Sequence, residues 1–88
     1  MATTPNEITL NNEVYTRVVN NVATYLVQNG ATGIIKVAGS DADLGATTAT
    51  NLGGFKLEPL KALSNTQLND YAYVYAISTT TTGLVIVS

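Results

Sequence analysis

The sequence contains no cysteine, no histidine and no tryptophan. Without cysteine there can be neither disulfides nor thiolate metal sites. Without histidine or cysteine, nucleophilic triads and the usual zinc sites are excluded. Without tryptophan, a sugar-stacking surface lacks its usual planar side chain. Charge is scarce too: Asp, Glu, Lys and Arg make up 11% of the chain, against roughly 25% in ordinary soluble domains. The four basic residues, Arg17, Lys36, Lys56 and Lys61, are scattered, and the net charge is −2. No basic stripe is available to neutralise phosphates, so no nucleic-acid partner is expected. No apolar run approaches the ~20 residues of a membrane span, and MATTPNEITL has no signal-peptide apolar region, so the expected site of synthesis is a cytoplasm with no membrane contact.

The six acids are Glu7, Glu13, Asp41, Asp43, Glu58 and Asp70. A glycosidase needs two carboxylates ~5–10 Å apart in a cleft, and six scattered acids in 88 residues do not promise one. No enzymatic activity is expected. Asp41-Ala42-Asp43 begins like a calcium loop, but position twelve of such a loop falls on Leu52. Turn capping is the expected role of these aspartates, and no metal or cofactor is expected. Gly30, Gly33, Gly53 and Gly54 precede no Gly-Lys-Ser/Thr, so they read as turn glycines rather than a phosphate cradle.

What is abundant is β-strand chemistry. In Asp70–Ser88, Tyr71, Tyr73, Tyr75 and Ile77 alternate with Ala72, Val74 and Ala76. This period of two predicts a strand with one large and one small face. A polar turn, Ser78–Gly83, leads to a second strand over Leu84–Val87, and the pair reads as a hairpin. The small face lets another layer approach closely; the Tyr face suits a core edge or an interface. Upstream, strands are expected over Glu7–Leu10, Val14–Val19 and Val22–Val27, separated by Asn11-Asn12 and Asn20-Asn21 turns and forming an antiparallel meander. β-branched residues and the Asn pair argue against a helix over Glu13–Gln28. Asn29-Gly30 marks another turn. Ile34–Val37 then reads as a strand buried on both faces. Leu44–Gly54 is the longest segment without periodicity, and long loops are often functional. Pro59 confines any strand near it to a sheet edge, and a short helical turn is conceivable over Leu60–Leu63. Residues 1–6 read as a flexible arm and 7–88 as a single domain: all-β, a small antiparallel β-sandwich or flattened β-barrel. With no disulfide or metal staple in so short a chain, self-association is the remaining way to gain buried area.

The ordered set Gln28-Asn29-Gly30, Ile34–Asp41, Gly54–Leu60, Tyr75–Ser78 and Gly83–Val87 resembles small bacteriophage virion proteins. These are head decoration (capsid cement) proteins and related tail and fibre modules. The resemblance covers about two-thirds of the chain. It implies a trimeric, non-catalytic β protein of the capsid surface, made in the host cytoplasm and bound to the major capsid protein. A tail or tail-fibre module that binds carbohydrate is the alternative. The residues expected at an interface are Tyr71, Tyr73, Tyr75, Leu44 and Phe55.

Overall fold

A computed structural model describes residues 6–81 and 83–88. Nine strands run through them: β1 (Asn6–Leu10), β2 (Tyr15–Asn20), β3 (Leu26–Asn29), β4 (Ile35–Ser40), β5 (Thr47–Thr48), β6 (Phe55–Leu57), β7 (Ala62–Ser64), β8 (Tyr73–Ser78) and β9 (Gly83–Val87). A short 3-10 turn, Thr66–Leu68, precedes β8. The strands form two antiparallel sheets, ordered β1-β9-β3-β7 and β5-β2-β8-β4-β6. The all-β expectation holds, and the architecture is a sandwich. The expected arm at residues 1–5 lies outside the described residues; Asn6 already opens β1.

Alternation decides what the layers bury. Ile8 and Leu10, Val27, Val85 and Val87, and Leu63 face inward from the four-stranded sheet. Val19, Ile35, Val37, Leu57, Val74 and Ala76 meet them from the five-stranded sheet. The small face of the Tyr71–Ile77 segment is therefore the inner face, where Val74 and Ala76 are fully buried. In β2 the register with β8 slips between Arg17 and Val19. This bulge places both Val18 and Val19 in the core and accounts for the imperfect alternation of that strand.

Three expectations about the strands, two of them about pairing, are corrected. First, β8 and β9 are not a hairpin: β8 lies between β2 and β4, while β9 lies between β1 and β3 in the other sheet. The intervening turn crosses from layer to layer, with Ser78 Oγ donating to the Thr80 carbonyl at 2.9 Å. Second, β1, β2 and β3 are not a meander. The Asn11 turn is formed as expected, Asn11 Oδ1 accepting the Glu13 N–H at 2.6 Å, but it too carries the chain between sheets. Third, the strand expected over Val22–Val27 begins only at Leu26. Asn21 takes a left-handed conformation (φ 55°) and Tyr25 is drawn inward, its hydroxyl donating to the Tyr71 carbonyl. Tyr25 and Val27 are buried, whereas Val22, Ala23, Thr24 and Leu26 are exposed, so alternation begins only at Tyr25. Two smaller corrections concern Ile34–Val37 and Leu60–Leu63. Ile35 and Val37 are buried but Ile34 is exposed and Lys36 half-buried, so that strand is not apolar on both faces. The helical turn forms at Thr66–Leu68 instead, where Leu68 anchors it in the core.

The layers are tied at Asn29, whose side chain is fully buried. Its Nδ2 donates to the Gly33 carbonyl at 2.8 Å and to the Leu57 carbonyl at 2.7 Å. Its Oδ1 accepts the Ala31 N–H at 2.8 Å. Its backbone N–H donates to Lys61 O, and its carbonyl accepts the Leu60 N–H. One residue of β3 thus closes the following turn and reaches β6 in the opposite sheet. Replacing it by Ala leaves the buried Leu57 carbonyl and the part-buried Gly33 carbonyl and Ala31 N–H without their partner, at about 1–3 kcal/mol per buried group left unsatisfied. Asn29→Ala is expected to lower stability in urea melts by about 2–5 kcal/mol. Asn11→Ala, in an exposed turn, should lower it by well under half of that.

Candidate functional site

The two outer faces of the sandwich differ. On the five-stranded sheet, residues 41–54 fold back over the strands. Tyr75, on the outward side of β8, is fully buried beneath them. Its hydroxyl donates to the Gly45 carbonyl at 2.9 Å and accepts the Leu44 N–H at 2.7 Å. Tyr15, on the outward side of β2, does the same further along, donating to the Gly53 carbonyl at 2.9 Å. Two tyrosines thus fasten the two ends of one loop, and β5 within it pairs with β2. Gly54 ends the loop at φ 96°, where a Cβ would stand 2.5 Å from the Val37 carbonyl oxygen; no larger residue fits that approach.

Asp43 completes the clasp. Its Oδ1 accepts the Gly45 N–H at 2.9 Å and pairs with the Arg17 guanidinium, the single ion pair among the described residues. The Gly45 hydrogen bond, and after it Arg17, holds the Asp43 carboxyl below the ordinary aspartate range. The turn-capping role expected for this aspartate is the one it takes. Among the described residues no three His, Cys, Asp or Glu side chains converge on a metal position.

Beyond the loop's edge lies a cleft of about 310 Å³, lined by Asn12, Glu13, Tyr15, Lys36, Ala49, Asn51, Ile77, Ser78 and Thr79. The register places Lys36 beside Ile77 and Tyr15 beside Thr48, so the outward residues of β4, β8 and β2 form its floor.

The outer face of the four-stranded sheet carries no covering segment among the described residues. The outward positions are Glu7 and Thr9 on β1, Leu84 and Ile86 on β9, Leu26 and Gln28 on β3, and Ala62 and Ser64 on β7. Glu7 alone is charged. Leu26 is 41% exposed, and Leu84 and Ile86 are half-buried. A shallow groove of about 250 Å³ runs beside Leu84, lined by Gly30, Ala31, Thr32 and Gly83. At the rim stands Leu60, 77% exposed and left-handed at φ 68°. Its carbonyl accepts from Gln28 Nε2 at 3.3 Å. Leucine resists that conformation at a cost of roughly 1–2 kcal/mol; the hydrogen bond from its N–H to the Asn29 carbonyl, 3.0 Å, holds it there.

The five residues expected at an interface are not brought together. Tyr75 is inside. Tyr71 precedes the strand and lays its ring over Gly39, where a Cβ would stand 2.2 Å from Tyr71 Cδ2. Tyr73 is half-buried between Asn20 and Ser40. Leu44 is 39% exposed on the covering loop, and Phe55 is 53% exposed on edge strand β6. Lys36, Asn51, Leu26, Ile86 and Leu60 were not singled out by pattern. Their grouping depends on strand order, and nothing local at Pro59-Leu60 announces a left-handed leucine. No family model, no curated protein and no solved structure matches this chain.

The clasp has a pH signature. Folded Asp43 keeps its charge to lower pH than an unfolded aspartate, whose value is about 3.9. Its contribution is complete above that value and is lost as pH falls through the lower folded one. Amide exchange at Leu44 and Gly45 is therefore expected to accelerate as pH falls below about 4, beyond the intrinsic trend of an unfolded reference peptide, and the step should be absent from Asp43→Asn. Separately, Tyr75→Phe removes the hydroxyl that bridges Leu44 and Gly45 and should cost about 1–3 kcal/mol in denaturant melts at neutral pH.

Proposed function

We propose that the protein is a structural virion component of the head-decoration type. It binds the outer surface of the assembled major capsid protein as a homotrimer, and it stabilises the shell without acting chemically on a substrate. The observation that carries this reading is the nearly uncharged outer face of the four-stranded sheet, which no segment among the described residues covers, with Leu60 exposed at its rim. Uncharged polar and apolar surface is less costly to desolvate than charged surface, which suits a face that is buried on docking. The resemblance of Gln28–Val87 to decoration proteins supplies the class of partner. The mechanism is mass action: a protein that binds the assembled shell and not its dissociated subunits shifts the balance toward assembly. Many symmetry-related copies multiply a modest interface.

The test is co-sedimentation of purified protein with shells assembled from the major capsid protein of the same genome. Wild type should pellet with shells, raise their melting temperature, and scatter light as a trimer when free. Leu60→Asn keeps a residue that tolerates the left-handed conformation and relieves up to about 1 kcal/mol of strain. It is expected to melt no lower than wild type, yet to pellet less. Ile86→Lys, at the centre of the face, should abolish pelleting while the protein stays folded by circular dichroism. Absence of shell binding by folded wild type, or full binding by both variants, overturns this reading.

A further inference from the structure

The cleft on the opposite sheet has a composition that the decoration reading does not use. Of the four basic residues in the chain, two stand side by side: Lys36 on β4 is the register partner of Lys56 on β6. Like charges directly opposite on neighbouring strands are destabilising. Among the described residues neither lysine has an acidic partner, since Arg17 alone is in an ion pair. Lys36 is half-buried and lines the cleft floor beside Ile77.

The walls supply uncharged polar groups. Asn51 Oδ1 is occupied by the Gly53 N–H at 2.9 Å and faces the Tyr15 hydroxyl at 3.4 Å. That leaves its Nδ2 donors uncommitted among the described residues. Asn12 also lines the cleft. Thr79 Oγ1 is taken up by the Ile34 carbonyl, which fixes that wall. The one opposing charge is Glu13, exposed at the rim. Its backbone N–H is held by Asn11, and its carboxylate makes no ion pair with Lys36. A volume of about 310 Å³ is at the lower end of small-ligand sites, the size of a monosaccharide and not of an oligomer.

We propose that this cleft binds a small carboxylate-bearing polyol, an acidic sugar in class. The carboxylate pairs with Lys36 and relieves its repulsion with Lys56. The hydroxyls meet the amides of Asn12 and Asn51, and the carbon skeleton rests on Ile77. The site lies on the sheet opposite the proposed docking face, so it stands or falls separately from the decoration reading.

The test is a titration of the ¹⁵N-labelled full chain with glucuronate, followed by amide shifts, with glucose and inorganic phosphate as comparison probes. Glucuronate should give saturable shifts confined to the cleft residues, weakening as salt is added. Lys36→Gln should weaken binding by about ten-fold or more, the scale of a hydrogen bond to a charged group. Lys36→Arg should retain most of it, and Glu13→Gln should tighten it by removing the opposing charge. All three variants change side chains outside the core, and a melting temperature no lower than that of wild type separates lost binding from lost folding; Lys36→Gln, which ends the repulsion with Lys56, should raise it slightly. Non-saturable shifts with glucuronate overturn the site. Equal affinity for glucose overturns the role of Lys36, and equal affinity for phosphate overturns the sugar assignment.

Discussion

The buried amide of Asn29 is the joint at which the two sheets hold each other. Most of the contact between them is apolar and non-directional; Val27, Val37, Val74 and Val85 would accept many relative placements of the layers. Asn29 would not. Its Nδ2 must reach carbonyls at Gly33 and Leu57, and its Oδ1 must meet the Ala31 N–H. An amide that meets all its partners in a dry site adds little net stability but excludes neighbouring arrangements, because each would strand a polar group. The same residue's backbone fixes Leu60 and Lys61. The geometry of the rim of the uncovered face is therefore set from inside the core.

Six of the nine strands were legible in the sequence; β5, β6 and β7 are two or three residues long, too short to show a period, and β5 lies inside the segment read as a loop. Tyr73 to Ser78 carries a period of two, Leu84 to Val87 is a run of strand-forming residues, and Tyr15 to Val19 alternates except at its bulge; the Asn11 and Asn20-Asn21 turns follow from the local chemistry of asparagine. Which strand pairs with which was not legible. Period two says which residues share a face, and it is silent about the neighbour across the hydrogen bonds. In this fold most short connections jump between layers, so the inference that strands adjacent in sequence pair in space fails at β1–β2, β2–β3 and β8–β9. The candidate site shared that limit. Tyr75 belongs to an aromatic face as expected, but the face was covered by Asp43–Gly45, a segment whose own pattern carries no sign of where it lands. The Lys36–Lys56 pair is visible only once β4 and β6 are known to be adjacent.

The two outer faces divide the labour of a thin sandwich. One is sealed by the chain's own loop, with Tyr15 and Tyr75 as fasteners and Arg17–Asp43 as the outer latch. Sealing adds a third layer on that side without adding length to the core strands. The other, among the described residues, is left as a sheet surface, with Leu26 exposed and Leu84 and Ile86 half-buried. A chain of this size has little core to spare, so apolar side chains left outside on one face are a cost that the opposite face does not carry.

The order β1-β9-β3 has a consequence for how the chain reaches this structure. One of the two central strands of the four-stranded sheet is β9, Gly83–Val87, and it pairs with β1, Asn6 with Val87 and Leu10 with Gly83. Until those residues leave the ribosome, β1 and β3 have no common partner, and Leu10, Val27 and Leu63 have no finished layer to enter. The four-stranded sheet cannot be completed hairpin by hairpin; it needs the pairing of greatest sequence separation, and non-local pairing of this kind goes with slower folding. Nascent chains that stall before residue 83 would present two open edges and an unfinished apolar layer to whatever else is in the cell.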